Sequence, residues 1–297
     1  MQRSSLRARV GALVLLGAVA AVPTTANAEL VYGITFDNNL FSFDSATPNN
    51  IITGMYVTGL QNNEYIQTID FRPATGELYA IGSTNRLYKL NTATAVATQV
   101  GAVPFSPALN GVAFGMDFNP TVDRIRLHSN ANQNLRLHPD TGAVVAVDPN
   151  LVYASGDPGF GLDPNIVASA YTNNDNDPTT GTTLYSIDSV RDTLNVHSGA
   201  PGFETMTTVG GLTNAQGQTI NFGDYSGFDV SPSGTAFVHW NNASGLFGTI
   251  NLNTGQITTI GTMGGGAFVR DIAVIIPEPA SMALAIGALG LLARRRA

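Results

Sequence analysis

Three aspartates recur in one register of this chain: Asp70 in IDFRP, Asp117 in MDFNP and Asp229 in FDVSP. Carboxylates repeated at equivalent strand ends could line a shared channel and gather a cation or a polyol. The commoner use of such an acid is local, as an acceptor for backbone donors of the turn that follows it. A second acidic set, Asn173, Asp175 and Asp177 in YTNNDNDPTTG, falls at i, i+2 and i+4. That spacing lets a curled loop aim several oxygens at a hard cation such as calcium. The loop has Pro178 where an EF-hand needs its turn glycine, and no bidentate glutamate, so an Asx-rich solvated loop is the competing reading.

Other chemistry is poorly supplied. The four histidines, His128, His138, His197 and His239, show no H-x-H or H-E-x-x-H spacing. His138 and His197 align with Asp44, Asn91 and Asn253 of other segments, positions that open a turn, whereas His128 and His239 fall on strands and could face a channel. Cysteine is absent, which excludes disulfides and thiolate metal sites. There is no G-x-S-x-G, no Ser-x-x-Lys, no P-loop and no dinucleotide fingerprint after a strand. Tyr32, Tyr79, Tyr88, Tyr185, Phe222, Tyr225 and Trp240 could include a sugar-stacking surface, although core and cross-strand packing is the usual role of such rings.

The elements that position these residues come from a repeat. Segments 69–101, 116–148 and 228–261 share an order: an apolar-Asp-apolar-x-Pro strand end, a strand such as ELYAIG or RIRLHS, a strand such as RLYKLN, then a T-x-x-x-V-G-like strand. A looser copy begins at Ile166. The equivalent positions Asp70, Asp117, Tyr171 and Asp229 are 47, 54 and 58 residues apart, and four short strands at such spacing describe a propeller blade. Leu30–Gly59 supplies three strands and lacks the first, which Phe268–Val274 could restore by pairing beside Leu30–Thr35. The expected fold is therefore an all-β, five-bladed propeller closed by strands from both ends, a closure that hides sheet edges. A sandwich of hairpins is the rival architecture, and hidden strands within 151–183 would make a sixth blade.

The two ends say where the chain goes. Arg3, Arg7 and Arg9 precede the apolar run Val10–Val22, and Ala26-Asn27-Ala28 closes it, the parts of a secretory signal peptide cleaved after Ala28. The expected organisation is a signal peptide at 1–28, a propeller-like domain at 29–275 and a tail at 276–297. Six of the 14 basic residues lie in the ends, leaving the body with 8 basic and 20 acidic residues. Such a body repels nucleic acid and anionic lipid.

The tail carries Pro277-Glu278-Pro279, the 14-residue apolar run Ala280–Ala293 and then Arg294, Arg295 and Arg296. Its helical length of about 21 Å falls short of a bilayer core of roughly 30 Å. The order resembles the PEP-CTERM sorting signal of Gram-negative bacteria. That resemblance implies transient inner-membrane association, recognition by an exosortase after the export machinery, and a link to biofilm or extracellular polysaccharide. LVYGITFDNNLFSFD, IDFRPATGELYAIG and MDFNPTVDRIRLHSNANQNLRL resemble a family of bacterial secreted proteins known as a domain of unknown function. That resemblance implies a propeller-like fold and brings no catalytic residue. The function expected is an exported cell-surface or matrix module that binds rather than catalyses. The alternative is a calcium-dependent propeller hydrolase or lyase. No cofactor is expected for the binding module; calcium is the one exception left open, and the alternative requires it.

Overall fold

A computed structural model describes residues 28–175, 177, 179–241 and 245–276. The expected signal peptide up to Asn27, with Ala26, and the expected sorting tail from Pro277, with Glu278, Pro279, Arg294, Arg295 and Arg296, lie outside the described residues; Ala28 is exposed. Among the described residues, twenty-one strands run in chain order. Those of blade one are β1 (Leu30–Thr35), β2 (Asn39–Asp44) and β3 (Ile51–Tyr56). Blade two holds β4 (Ile66–Phe71), β5 (Leu78–Gly82), β6 (Arg86–Leu90) and β7 (Ala97–Val100). Blade three holds β8 (Phe114–Asn119), β9 (Arg124–Ser129), β10 (Asn134–Leu137) and β11 (Val144–Val147). Blade four comprises β12 (Val152–Tyr153), β13 (Ile166–Tyr171), β14 (Leu184–Asp188), β15 (Thr193–Ser198) and β16 (Thr205–Gly211). Blade five comprises β17 (Ser226–Val230), β18 (Ala236–Trp240), β19 (Leu246–Ile250) and β20 (Ile257–Thr262), after which β21 (Val269–Val274) returns to blade one in the order β21-β1-β2-β3.

The protein is an all-β, five-bladed propeller. β1 pairs antiparallel with β21 from Val31↔Val274 to Thr35↔Val269, so the two ends of the body close the ring as the repeat predicts. The segment 151–183 adds no sixth blade. It supplies β12, which pairs parallel to β16 as a fifth strand of blade four. The innermost strands β21, β4, β8, β13 and β17 neighbour one another in that order, and β17 returns to β21.

Local chemistry sets the hairpins. Between the second and third strands of four blades, Asn38, Asn85, Asn132 and Asp192 adopt φ of 63°, 63°, 61° and 49°. Asn and Asp tolerate this left-handed conformation better than other side chains, which accounts for part of the chain's asparagine content. In the turn after the third strand, the side chain of Asp44, Asn91, His138 or Asn251 accepts the N–H two residues on. His138 is thus a turn residue, and the equivalent position in blade five is Asn251 rather than Asn253. His197 is not in a turn. It lies inside β15, 5 % exposed, because this hairpin turns two residues later, at Gly199–Gly202.

Apolar clusters fill four of the five junctions between blades. Phe43 meets Phe247 between blades one and five; Tyr32 meets Phe71 between one and two; Tyr79 meets Phe118 between two and three. Phe222, Phe228 and Trp240 pack with Val167 and Ile187 between four and five. The junction of blades three and four is different. Its apolar cluster is small, formed by Leu151, Tyr153, Ile166 and Met206. Beside it lie stacked His128 and His197, their rings 5.1 Å apart, and the buried Arg126.

Candidate functional site: an acidic axis

Inner strands in a small propeller bring one face of each strand toward the axis, and the acids sit there at equal depth. Oxygens of Asp70 on β4, Asp117 on β8 and Asp229 on β17 lie within 4.8 Å of one another. All three side chains are buried, at 3 %, 1 % and 3 % exposure. Blade four contributes Tyr171 at this level and blade one contributes Ala273, so the ring of acids is incomplete in the way the sequence register indicates.

A fourth acid joins them. Asp271, two residues before Ala273 on β21, is 6 % exposed and shares a layer with Thr68, Gly115, Ser169 and Gly227. Its Oδ2 accepts Thr68 Oγ1–H at 2.5 Å and the Ile69 N–H at 3.0 Å, both from blade two. Its Oδ1 accepts its own neighbour's Ile272 N–H at 2.9 Å. Asp70 repeats the scheme one layer deeper: Oδ1 takes Phe71 N–H and Oδ2 takes Phe118 N–H of blade three, each at 2.7 Å. Asp229 takes Val274 N–H of blade one at 2.6 Å. The acids do accept backbone donors, but from the next blade as well as their own strand, which makes them clasps around the ring.

Asp117 breaks this pattern. Among the described residues neither of its oxygens has a hydrogen-bond partner, and Asp229 Oδ1 has none either. The Tyr171 backbone approaches Asp117 but falls outside hydrogen-bond geometry. Burial, and then the Coulombic effect of the neighbouring acids, pushes Asp70 and Asp117 well above the usual carboxylate range. Burial likewise raises Asp229 to about 6 and Asp271 to about 8. Carboxylates gathered in a dry site must share protons or hold a cation. The oxygens without donors are the ones able to ligate.

At the starts of the inner strands, one mouth of the axis is covered by a cation of the protein's own. β4, β13 and β21 each carry a β-bulge, whose extra residues are Gln67, Val167 and Arg270. A bulge re-aims its side chain, and these three meet in a depression bordered by the starts of all five inner strands. The Arg270 guanidinium sits 4.2, 4.8 and 5.3 Å from the rings of Phe36, Tyr65 and Tyr225, and Nη1 donates to Gln67 Oε1 at 3.1 Å. Arginine in an aromatic cage is a cheap way to hold a positive charge out of water.

The remaining predicted residues stand apart. Asn173, Asp175 and Asp177 are exposed on the loop after β13. Asn173 Nδ2 donates to Gly181 O, Asp175 Oδ1 accepts the Asp177 N–H, and Asp177 Oδ1 accepts the Thr179 N–H and hydroxyl. Asp175 Oδ1 and Asp177 Oδ1 are thus turned to their own loop. His128 and His239 are fully buried against the inner strand of the following blade rather than open to a channel. His128 Nδ1 pairs with Ser169 Oγ at 2.8 Å, and His239 lies beside Asp271 across Gly227.

A family model described as a domain of unknown function, DUF4394, matches residues 39–273. The chain belongs to the DUF4394 family. The family match spans all five blades, so the acidic axis is part of the domain. Among solved structures, a protein of unknown function from Bacteroides thetaiotaomicron VPI-5482 aligns with a TM-score of 0.50 at 14 % identity, over 85 % of this chain and 66 % of that one. A protein of unknown function from Bacteroides caccae aligns at 0.48 and 8 % identity, over 85 % and 100 %. A chain of a nidogen/laminin complex aligns at 0.47 and 9 %, over 84 % and 98 %. At these identities the likeness concerns fold alone. No curated protein matches the chain.

Proposed function

We propose that this DUF4394 protein is an exported propeller that holds a hard divalent cation on its axis and works outside the cytoplasm as a binding module. The observation that carries the cation is Asp117: a carboxylate 1 % exposed, without a donor at either oxygen, converging with Asp70 and Asp229 from two other blades. Calcium suits the site best. It accepts an irregular all-oxygen shell, whereas magnesium keeps several waters that a closed axis has little room for. The ion would offset most of the cluster's negative charge and tie blades two, three and five together.

Burial argues against the hydrolase alternative at this place. Acids at 1–3 % exposure leave a substrate little approach to a catalytic ion. The basic-apolar leader and the PEP-CTERM-like tail support export, exosortase processing and a place on the envelope or in an extracellular polysaccharide matrix.

Two experiments test this reading. Protein stripped with a chelator and titrated with calcium chloride should gain about 3 kcal/mol at a hundredfold excess over Kd, a rise in Tm of about 5–10 °C. Asp117→Asn should abolish the rise. Identical melting with and without calcium or magnesium, and no metal in the purified protein, would sink the cation. For the tail, replacing Arg294, Arg295 and Arg296 by serine should leave unprocessed product in the membrane fraction; unchanged processing speaks against the sorting signal.

A further inference from the structure

The one junction without a large apolar cluster is also where the protein concentrates its positive charge. The body carries 8 basic residues against 20 acidic ones. Three of the eight, Arg124, Arg126 and Arg136, line a single cleft of about 590 Å³ at the junction of blades three and four, and among the described residues no acidic side chain lines it. Arg124 and Arg126 alternate on one face of β9, and Arg136 of β10 lies directly across from Arg126. Like charges opposed across a ladder destabilise it. Here Asp148 sits between them, accepting Arg126 Nη1 at 2.7 Å and Arg136 Nε and Nη2 at 2.7 and 3.0 Å.

The cleft is built, and its donors are not all spent. Arg126, 2 % exposed, is anchored by Asn134 Oδ1 at 2.6 Å, Pro201 O at 2.7 Å and, more loosely, Tyr171 Oη at 3.4 Å. Arg136 uses Nε and Nη2 on Asp148 and leaves Nη1 unused. Arg124 uses Nη1 on backbone oxygens of Val122 and Asp123, leaving Nε and Nη2. Phe203 lines the same cleft with its backbone at φ 54°. That conformation is strained for a bulky side chain, and such strain collects at functional sites. Its ring lies 5.5 Å from the Arg126 guanidinium and edge-on to Tyr171 at 5.9 Å.

We propose that this cleft binds a uronate, a sugar whose carboxylate the unused guanidinium donors of Arg124 and Arg136 hold and whose apolar face lies on Phe203. Guanidinium forks match a planar carboxylate, and an aromatic ring beside them selects a ligand with a flat hydrophobic face. Thr182 adds a hydroxyl at the rim. The cleft lies in the size range of small-ligand sites. The proposal rests on the extracellular-matrix reading for the source of the sugar, but its geometry is separate from the axis.

Calorimetric titration of the full protein at pH 7 with trigalacturonate, its methyl ester and inorganic phosphate tests it, with calcium stabilisation measured on the same sample. Trigalacturonate should bind, and the ester should bind at least tenfold more weakly. Arg124→Gln should weaken the acid at least tenfold. Phe203→Gly should do the same without lowering Tm, because it removes both the ring and the backbone strain. Equal binding of acid and ester, phosphate binding as tightly as the uronate, or no binding of any probe would overturn the uronate site. An intact calcium response in that case leaves the axial reading standing, while uronate binding without a calcium response would leave this site standing alone.

Discussion

Asp229 on β17 accepts the Val274 N–H at 2.6 Å, so a side chain of the last complete blade holds the strand that completes the first. Asp70 and Asp271 make the corresponding bonds from blade two to three and from blade one to two. Asp229→Ala removes the acceptor and leaves a buried N–H unpaired, which should cost about 2 kcal/mol, or a fall in Tm of about 4–8 °C. Asp229→Asn retains an acceptor oxygen and should cost less than half as much. Equal losses for the two variants in a thermal melt would show that the clasp is not what closes the ring.

Asp117 should behave in the opposite way. Its raised pKa means that the fold disfavours the ionised form: the group's contribution is favourable below its unfolded pKa and is lost as pH rises through the folded value. At pH 7 in chelator, Asp117→Asn should therefore be more stable than wild type in urea unfolding. With calcium present the order should reverse. A variant less stable than wild type in chelator would mean that the acid is well solvated or paired.

His197 gives a pH signature away from the axis. Burial holds its pKa down to about 4 against an ordinary 6.5, although the Phe203 carbonyl, 2.7 Å from Nδ1, favours the protonated ring. A depressed histidine contributes its full stability above pH 6.5 and loses it as pH falls toward 4, at about 1.4 kcal/mol per pH unit. The loss should reach about 3 kcal/mol by pH 4. In His197→Gln, the dependence of unfolding free energy on pH between 6.5 and 4 should flatten by about that amount; a parallel curve would refute the assignment.

Close packing at the axis makes two glycines indispensable. A Cβ at Gly115 would stand 2.5 Å from Ser169 N and 2.6 Å from Ala168 C, and one at Gly227 would stand 2.6 Å from Asp271 Oδ1 and 2.8 Å from Ile272 N. In both cases the obstacle includes the backbone of the next inner strand, which cannot swing away. Gly115→Ala should cost about 3 kcal/mol or more. Gly223→Ala, with nothing within 4 Å, should stay within about 0.5 kcal/mol and serves as the control in the same urea titration.

Much of this was legible in the chain, because a repeat states its fold several times. The IDFRP, MDFNP and FDVSP segments reveal the inner strands, their shared aspartates and the missing first strand that Phe268–Val274 restores. Asp271 was not legible. The repeat aligns Ala273 with the other acids, and only coordinates show that two residues earlier on the same face the side chain reaches Thr68 of the next blade. His197 misled because it shares a sequence position with turn residues while its hairpin is longer. The arginine cleft was hidden for another reason. Arg124, Arg126 and Arg136 look like ordinary strand residues until pairing sets Arg126 opposite Arg136 and a turn of blade four brings Phe203 against them.

The seam between β1 and β21 has a mechanical consequence. Ile275 N–H donates to Leu30 O at 3.0 Å, so the body's two flanks leave the ring side by side from one sheet. Tension between them would peel the pair open one rung at a time, beginning at the Ile275–Leu30 bond and passing next to Val31 and Val274. The Asp229 bond lands on Val274, directly behind that outermost rung. A propeller pulled through its tail would thus be reinforced where tearing has to start.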